Sequence, residues 1–194
     1  MKDGSGLTAL PECGKVSGVA PIVWLTGLSG AGKSTIAEGL LELMRDSSIK
    51  CEMLDGDVIR RELCRDLGFS QRDRVENMRR IGFVASLLSR HGIVVVIAVI
   101  APYRDAREAL RSSLPHLIEV YVDAPLDVCE ERDPKGLYRK ARAGDLAFFT
   151  GIDAPYEHPI APHIHCRTNV EKPHESIQKV ADYLFRRLAA FRPT

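Results

Sequence analysis

Eight residues, Gly27-Leu28-Ser29-Gly30-Ala31-Gly32-Lys33-Ser34, carry the spacing G-x-x-x-x-G-K-[ST]. Set between an apolar run and a helix-forming run, this spacing curls the main chain so that several N–H groups and the positive end of the next helix converge on one anion. Lys33 then reaches the β- and γ-phosphates of a nucleoside triphosphate, and the Ser34 hydroxyl is placed to ligate Mg2+. This is nucleotide chemistry.

A second constellation is acidic. Asp55-Gly56-Asp57 ends an apolar segment, and Arg60 follows one helical step on. In an open α/β sheet the carboxyl ends of the strands face the ligand crevice, so these carboxylates look toward the phosphate loop. One can accept a hydrogen bond from an attacking hydroxyl while the other holds the metal's water shell, which suits phosphoryl transfer. The plainer alternative is that Asp57 only caps the helix that follows. A switch GTPase is excluded, because no N-K-x-D is present and the D-x-x-G match at Asp133 to Gly136 falls beyond the fourth strand. The run Val94 to Ile100 passes into Ala101-Pro102 without the acidic residue of a Walker-B strand, so a metal-directed carboxylate has to come from elsewhere.

A third group lies on one predicted helix. Ser70-Gln71-Arg72-Asp73 reads as a capping box, so a long helix starts near residue 71. On a wheel of about 3.6 residues per turn, Val75, Met78, Ile81, Val84, Ala85 and Leu88 share one side, with Arg74 and Asn77 among them. Arg72, Arg79 and Arg80 point away, toward solvent or a subunit contact. A guanidinium facing inward needs a partner, either a bound anion or an internal salt bridge to Asp55 or Asp57. Phe69 and the Phe148-Phe149 pair, the latter near Lys135, Arg139, Lys140 and Arg142, offer aromatic faces that clamp a purine or simply join the core.

The elements that position these groups alternate. Strands are read at Pro21 to Thr26, Ile49 to Leu54, Ile93 to Ile100, Leu117 to Val122 and His163 to Arg167. Helices are read at 33 to 46, 58 to 66, 71 to 90, 104 to 112 and 126 to 132, with a last one from Pro173. Alternation of this kind predicts an α/β three-layer sandwich with a mostly parallel sheet of about five strands. Residues 1 to 20, with four glycines and no periodicity, read as a flexible leader to a single domain over 21 to 194. The polar stretch 133 to 162 has no strong pattern.

Composition sets the outer limits. A 45% hydrophobic share rules out global disorder, and a net charge of +1 (27 basic against 26 acidic residues) argues against a general nucleic-acid binder, so any anion site is local. Cys13, Cys51, Cys64, Cys129 and Cys166 are scattered without a C-x-x-C, which points to reduced thiols in the cytoplasm. The longest apolar run is about half of the roughly 18 residues a membrane helix needs, and no apolar h-region opens the chain. His163, His165 and Cys166 alternate across a strand and serve a shared metal ion poorly. Cys129 reads as an apolar filler.

Seven segments together go beyond generic chemistry: GLSGAGKST (27–35), LDGDVIR (54–60), LGFSQRDRVENMRR (67–80), APYR (101–104), VYVDAP (120–125), ERDPKGLY (131–138) and FTGIDAPY (149–156). Over residues 20 to 190 the chain resembles the adenylyl-sulfate kinase family of P-loop kinases. The resemblance implies ATP-dependent phosphorylation of the ribose 3′-hydroxyl of adenylyl sulfate, giving 3′-phosphoadenylyl sulfate, with Mg2+, in a homodimer linked functionally to a sulfate adenylyltransferase. It implies a catalytic set of Asp57, Lys33 and Asp55, with Asp57 orienting the hydroxyl and Asp55 and Ser34 near the metal. The nucleotide falls to Gly27 through Thr35 and to Arg132. Arg60, Arg74 and Asn77 grip the phosphosulfate and sugar, Phe69 and Phe149 clamp the adenine, and Lys135 and Leu137 touch substrate from a helical lid spanning about 133 to 162. Two positions depart from the family pattern. Ala101 stands where many members carry serine, so transfer is expected to be direct and in line, and Val58 stands where asparagine is common. The runners-up are another small-molecule P-loop kinase, with a nucleoside or sugar acceptor, and an ATP-binding regulatory subunit without transfer.

Overall fold

The computed structural model describes residues 18–190. Cys13 and all but the last three residues of the expected leader lie outside them. Ala20, expected in that leader, is instead fully buried, and its N–H donates to Ser89 O at 2.8 Å.

Among the described residues five strands form one parallel sheet: β1 (Ile22–Thr26), β2 (Cys51–Asp55), β3 (Val94–Ala98), β4 (Leu117–Asp123) and β5 (Ile164–Arg167), in the order β2-β3-β1-β4-β5. Helices α1 (Lys33–Asp46), α2 (Gly56–Glu62), α3 (Gln71–Arg90), α4 (Arg104–Ser113), α5 (Leu126–Arg132), α6 (Leu137–Arg142) and α7 (Pro173–Ala190) connect and cover it. The central strands are buried on both faces, and this is why they read as unbroken apolar runs rather than alternating ones. Their alternation still sorts the core in two. Val23 and Leu25 of β1 pack with α1 and α7, whereas Ile22 and Trp24 pack with α3 and α4. The predicted three-layer architecture is the one observed.

Local boundaries shifted for physical reasons. The helix expected over 58–66 runs from Gly56 to Glu62, because Asp55 takes the capping role at its start. The stretch 133 to 162 contains α6, whose first turn is capped by the Asp133 carboxylate accepting from Tyr138 N and Arg139 N at 3.1 Å each. The D-x-x-G match is thus a helix cap. This segment is also anchored: Tyr138 and Phe149 belong to the core. Val75, expected inward, is exposed, and Arg80, expected outward, is half-buried on Asp66 and Glu76. Arg74, Asn77, Met78, Ile81 and Ala85, all expected on the inward side, are buried there.

Candidate active site

The phosphate loop leaves β1 at Gly27, where the chain runs so close to β4 that an added Cβ would lie 2.2 Å from Val122 O. Only glycine fits that approach. At the other end Gly32, at φ +98°, starts α1 without any side-chain cap. The N–H groups of the first turn are therefore left to an anion. Lys33 Nζ donates to Gly27 O at 3.0 Å and Leu28 O at 2.7 Å, so its charge sits inside the loop. Burial brings its pKa from 10.5 down to about 8, against the opposing pull of Asp57 and Asp55.

One cavity of about 690 Å3 joins this loop to the acceptor-side residues. Ser29, Gly30, Gly32, Lys33, Ser34 and Thr35 line it from the nucleotide side. Gly27, Leu28 and Ala31 lie behind the wall: Gly27 and Leu28 contribute carbonyls to Lys33, and Ala31 is fully buried.

Asp55 and Asp57 enter from the end of β2, and the structure separates their jobs. Asp55 Oδ1 accepts from Asp57 N at 2.9 Å and Val58 N at 3.2 Å, so Asp55 rather than Asp57 caps α2. That corrects the alternative in which Asp57 is the cap. The second oxygen of Asp55 is left over, and it and Ser34 both line the cavity, offering oxygen donors of the chemistry Mg2+ takes. Asp57, in the first turn of α2, accepts from Lys135 Nζ across the cavity mouth.

Arg74 is 7% exposed, and neither of the expected carboxylates pairs with it. Its Nε donates to Phe69 O at 3.0 Å and Nη2 to Phe148 O at 2.6 Å. Burial and the neighbouring Arg60 both lower its pKa. A buried guanidinium on two carbonyls, with a second cation beside it, calls for an anion. Asn77, one turn on and equally buried, has an Oδ1 without a hydrogen-bond partner. The Arg60 guanidinium stacks 4.5 Å above the Phe69 ring, with Arg74 at 5.5 Å. Phe149 is buried edge-to-face on Tyr138 at 4.9 Å and still borders the cavity, as does the largely exposed Phe148. Lys135, Leu137 and Arg132 also border it.

Sequence reasoning missed Thr168, Tyr138 and Arg107. Thr168 follows β5 at the crevice end of a parallel strand, and that rule alone could have flagged it. Its hydroxyl donates to Ala31 O at 2.7 Å. Arg107 is buried against Glu119 at 3.2 Å and donates to Ala101 O at 2.6 Å, bracing the turn at Ala101, whose φ of +48° is unusual outside glycine. No spacing pattern announces it. His163 and His165 are spent on Glu119 N and the Asp123 carboxylate, and among the described residues no cluster of metal-ligating side chains occurs. Cys129 is fully buried, as a filler should be.

A parallel sheet with a phosphate loop after β1, and an acidic acceptor wall after β2, defines a small-molecule P-loop kinase. The adenylylsulphate kinase family profile matches residues 19–167. The adenylyl-sulfate kinase of Gloeothece citriformis is 55% identical over 158 residues, covering 81% of this chain and 90% of that one. The Mycobacterium tuberculosis APS kinase CysC, solved in complex with AMPPNP and APS, superposes with a TM-score of 0.83 at 41% identity, over 87% of this chain and 99% of that one. The chain belongs to the adenylyl-sulfate kinase family; it is an ATP-dependent kinase of sulfate assimilation. A sugar kinase from Janibacter sp. HTCC2649 shares the fold at 19% identity (TM-score 0.62, covering 90% of this chain and 99% of that one). Among the described residues no helix is long and apolar enough to cross a membrane.

Proposed function

We propose that the γ-phosphoryl group of ATP passes directly to the ribose 3′-hydroxyl of adenylyl sulfate, giving 3′-phosphoadenylyl sulfate and ADP. The observation that carries this reading is that Asp57, Lys33, and the buried Arg74 and Asn77 share one cavity. In the step, the O3′–Pγ bond forms as the bridging bond to the β-phosphate breaks, and the hydroxyl proton passes to the Asp57 carboxylate. Lys33 and the loop N–H groups hold the β- and γ-phosphates in line. Arg74 and Arg60 balance the phosphosulfate, and Asn77 Oδ1 accepts a hydrogen bond from the acceptor.

Transfer is direct because Ala101, which lines the cavity, offers no nucleophile. Ser34 and the free oxygen of Asp55 fit a Mg2+ ion, which when bound neutralises charge on the β- and γ-oxygens. The segment 133 to 162 is read as a lid over ATP, with Lys135, Leu137 and Arg132 at its cavity edge and Tyr138 as its anchor; closure excludes water. Phe69 and Phe149 take the acceptor adenine between them. We extend the same reading to a cytoplasmic homodimer working beside a sulfate adenylyltransferase. Support for the dimer is the exposure on α3 of three large apolar side chains, Val75, Phe83 and Leu87, eight and four residues apart.

The deciding experiment incubates the protein with ATP, Mg2+ and adenylyl sulfate and follows both ADP and 3′-phosphoadenylyl sulfate. Stoichiometric formation of the two is expected. Robust phosphorylation of a nucleoside or sugar, with none of adenylyl sulfate, would reject the proposal.

A further inference from the structure

A trans peptide is planar, so a residue's C=O and the next residue's N–H point in opposite directions. In the phosphate loop three consecutive carbonyls are each gripped from outside. Ser29 O accepts from the Tyr138 hydroxyl at 3.0 Å, Gly30 O from Arg132 Nη1 at 3.3 Å and Ala31 O from the Thr168 hydroxyl at 2.7 Å. The donors sit on α6, on α5 and just after β5, more than a hundred residues along the chain.

Two of these grips aim an N–H at the anion side. Holding Ser29 O turns Gly30 N–H away from Tyr138, and holding Ala31 O turns Gly32 N–H away from Thr168. The Arg132 grip differs, because Ala31 N–H is already used on Leu28 O at 3.2 Å. The loop needs outside support for this. Gly30 and Gly32 have φ of +74° and +98°, and glycine peptides of this kind otherwise sample several orientations.

Both gripping side chains are firmly seated. Tyr138 is 2% exposed with its ring edge-on to Phe149 at 4.9 Å. Thr168 is fixed through its own N–H, which donates to Asp123 O at 2.8 Å. Its hydroxyl has one proton to give, and the 2.7 Å contact to Ala31 O is shorter than the 3.2 Å contact to Asp123 O.

We propose that Tyr138 and Thr168 are positioning residues that preset the phosphate cradle by holding its carbonyl side, so that Gly30 and Gly32 N–H meet the triphosphate without rearrangement. This rests on the reading that the cradle takes the ATP tail. It is preorganisation: orientation fixed on folding is not charged against binding.

Tyr138→Phe and Thr168→Val each remove one hydroxyl and keep the bulk. Calorimetric titration with AMPPNP and Mg2+ should show Kd rising roughly three- to tenfold per hydroxyl lost, the worth of one hydrogen bond. KM for adenylyl sulfate at saturating ATP should not change, and Thr168→Ser should restore nucleotide affinity. Wild-type Kd in the folded variants overturns the proposal, and so does a lower melting temperature with unchanged Kd, since that is a merely structural role. If Thr168→Val fails to fold, Tyr138→Phe decides alone. Failure of the kinase reading is seen separately, as wild-type protein that binds AMPPNP but releases no ADP when given ATP and adenylyl sulfate.

Discussion

Lys135 and Asp57, 78 residues apart in sequence, meet across the mouth of the cavity, with the ammonium donating to the carboxylate. Both side chains are more than half exposed, so the pair contributes at most about 1 kcal/mol and yields readily when substrate phosphates compete for the ammonium. It ties the segment after α5 to the start of α2, across the cavity mouth.

Asp57→Asn tests the acceptor chemistry. The amide keeps the shape and loses the ability to take a proton, so kcat should fall by about 10²- to 10⁴-fold with little change in melting temperature. Asp55, not Asp57, carries the helix cap, and this is why stability is spared. Steady-state kinetics on the purified variant settle it; near wild-type turnover removes Asp57 from its role.

Lys33 sets a pH limit on nucleotide binding. With its pKa lowered to about 8 by burial, the ammonium is present below that value and lost above it. Binding a triphosphate above pH 8 must then recruit a proton. The Kd for AMPPNP should be flat from pH 6.5 to 7.5 and rise by up to about tenfold per pH unit beyond about pH 8. A flat titration to pH 9.5 contradicts the assignment.

Arg74→Ala should act on the acceptor. Its side chain reaches Phe69 O and Phe148 O but no carboxylate, so under the proposed function the anion left to it is the acceptor's phosphosulfate. KM for adenylyl sulfate should rise at least about tenfold, as expected for a charged hydrogen bond, while KM for ATP holds. Equal effects on both substrates count against this.

Arg107→Met probes the scaffold beneath the site. It takes from Glu119, whose side chain is 9% exposed, the nearer of its two ion-pair partners and leaves only Arg111 at 3.7 Å, so the cost should be about 3 kcal/mol. Arg107→Met with Glu119→Met should recover most of it, because a matched apolar pair leaves no buried charge. Urea unfolding of the single and double variants reads both values, and additive losses would rule the pairing out.

The sequence by itself determined the nucleotide end and the layered sheet. Those follow from local rules: glycines at fixed offsets, a lysine and serine at a helix start, and apolar runs of strand length separated by amphipathic helices. Asp57, Arg74 and Asn77 were legible for the same reason, since strand-end and helix-face positions follow from periodicity. What only the tertiary structure decided depends on contacts between distant segments. It made Asp55 the cap and paired Asp57 with Lys135, left Val75 of α3 exposed, buried Tyr138 and Phe149 within a stretch that reads as plain loop, and set Thr168 against Ala31. Each outcome turns on which carbonyl or carboxylate lies within 3 Å or so of a given donor, and spacing along the chain does not encode that distance.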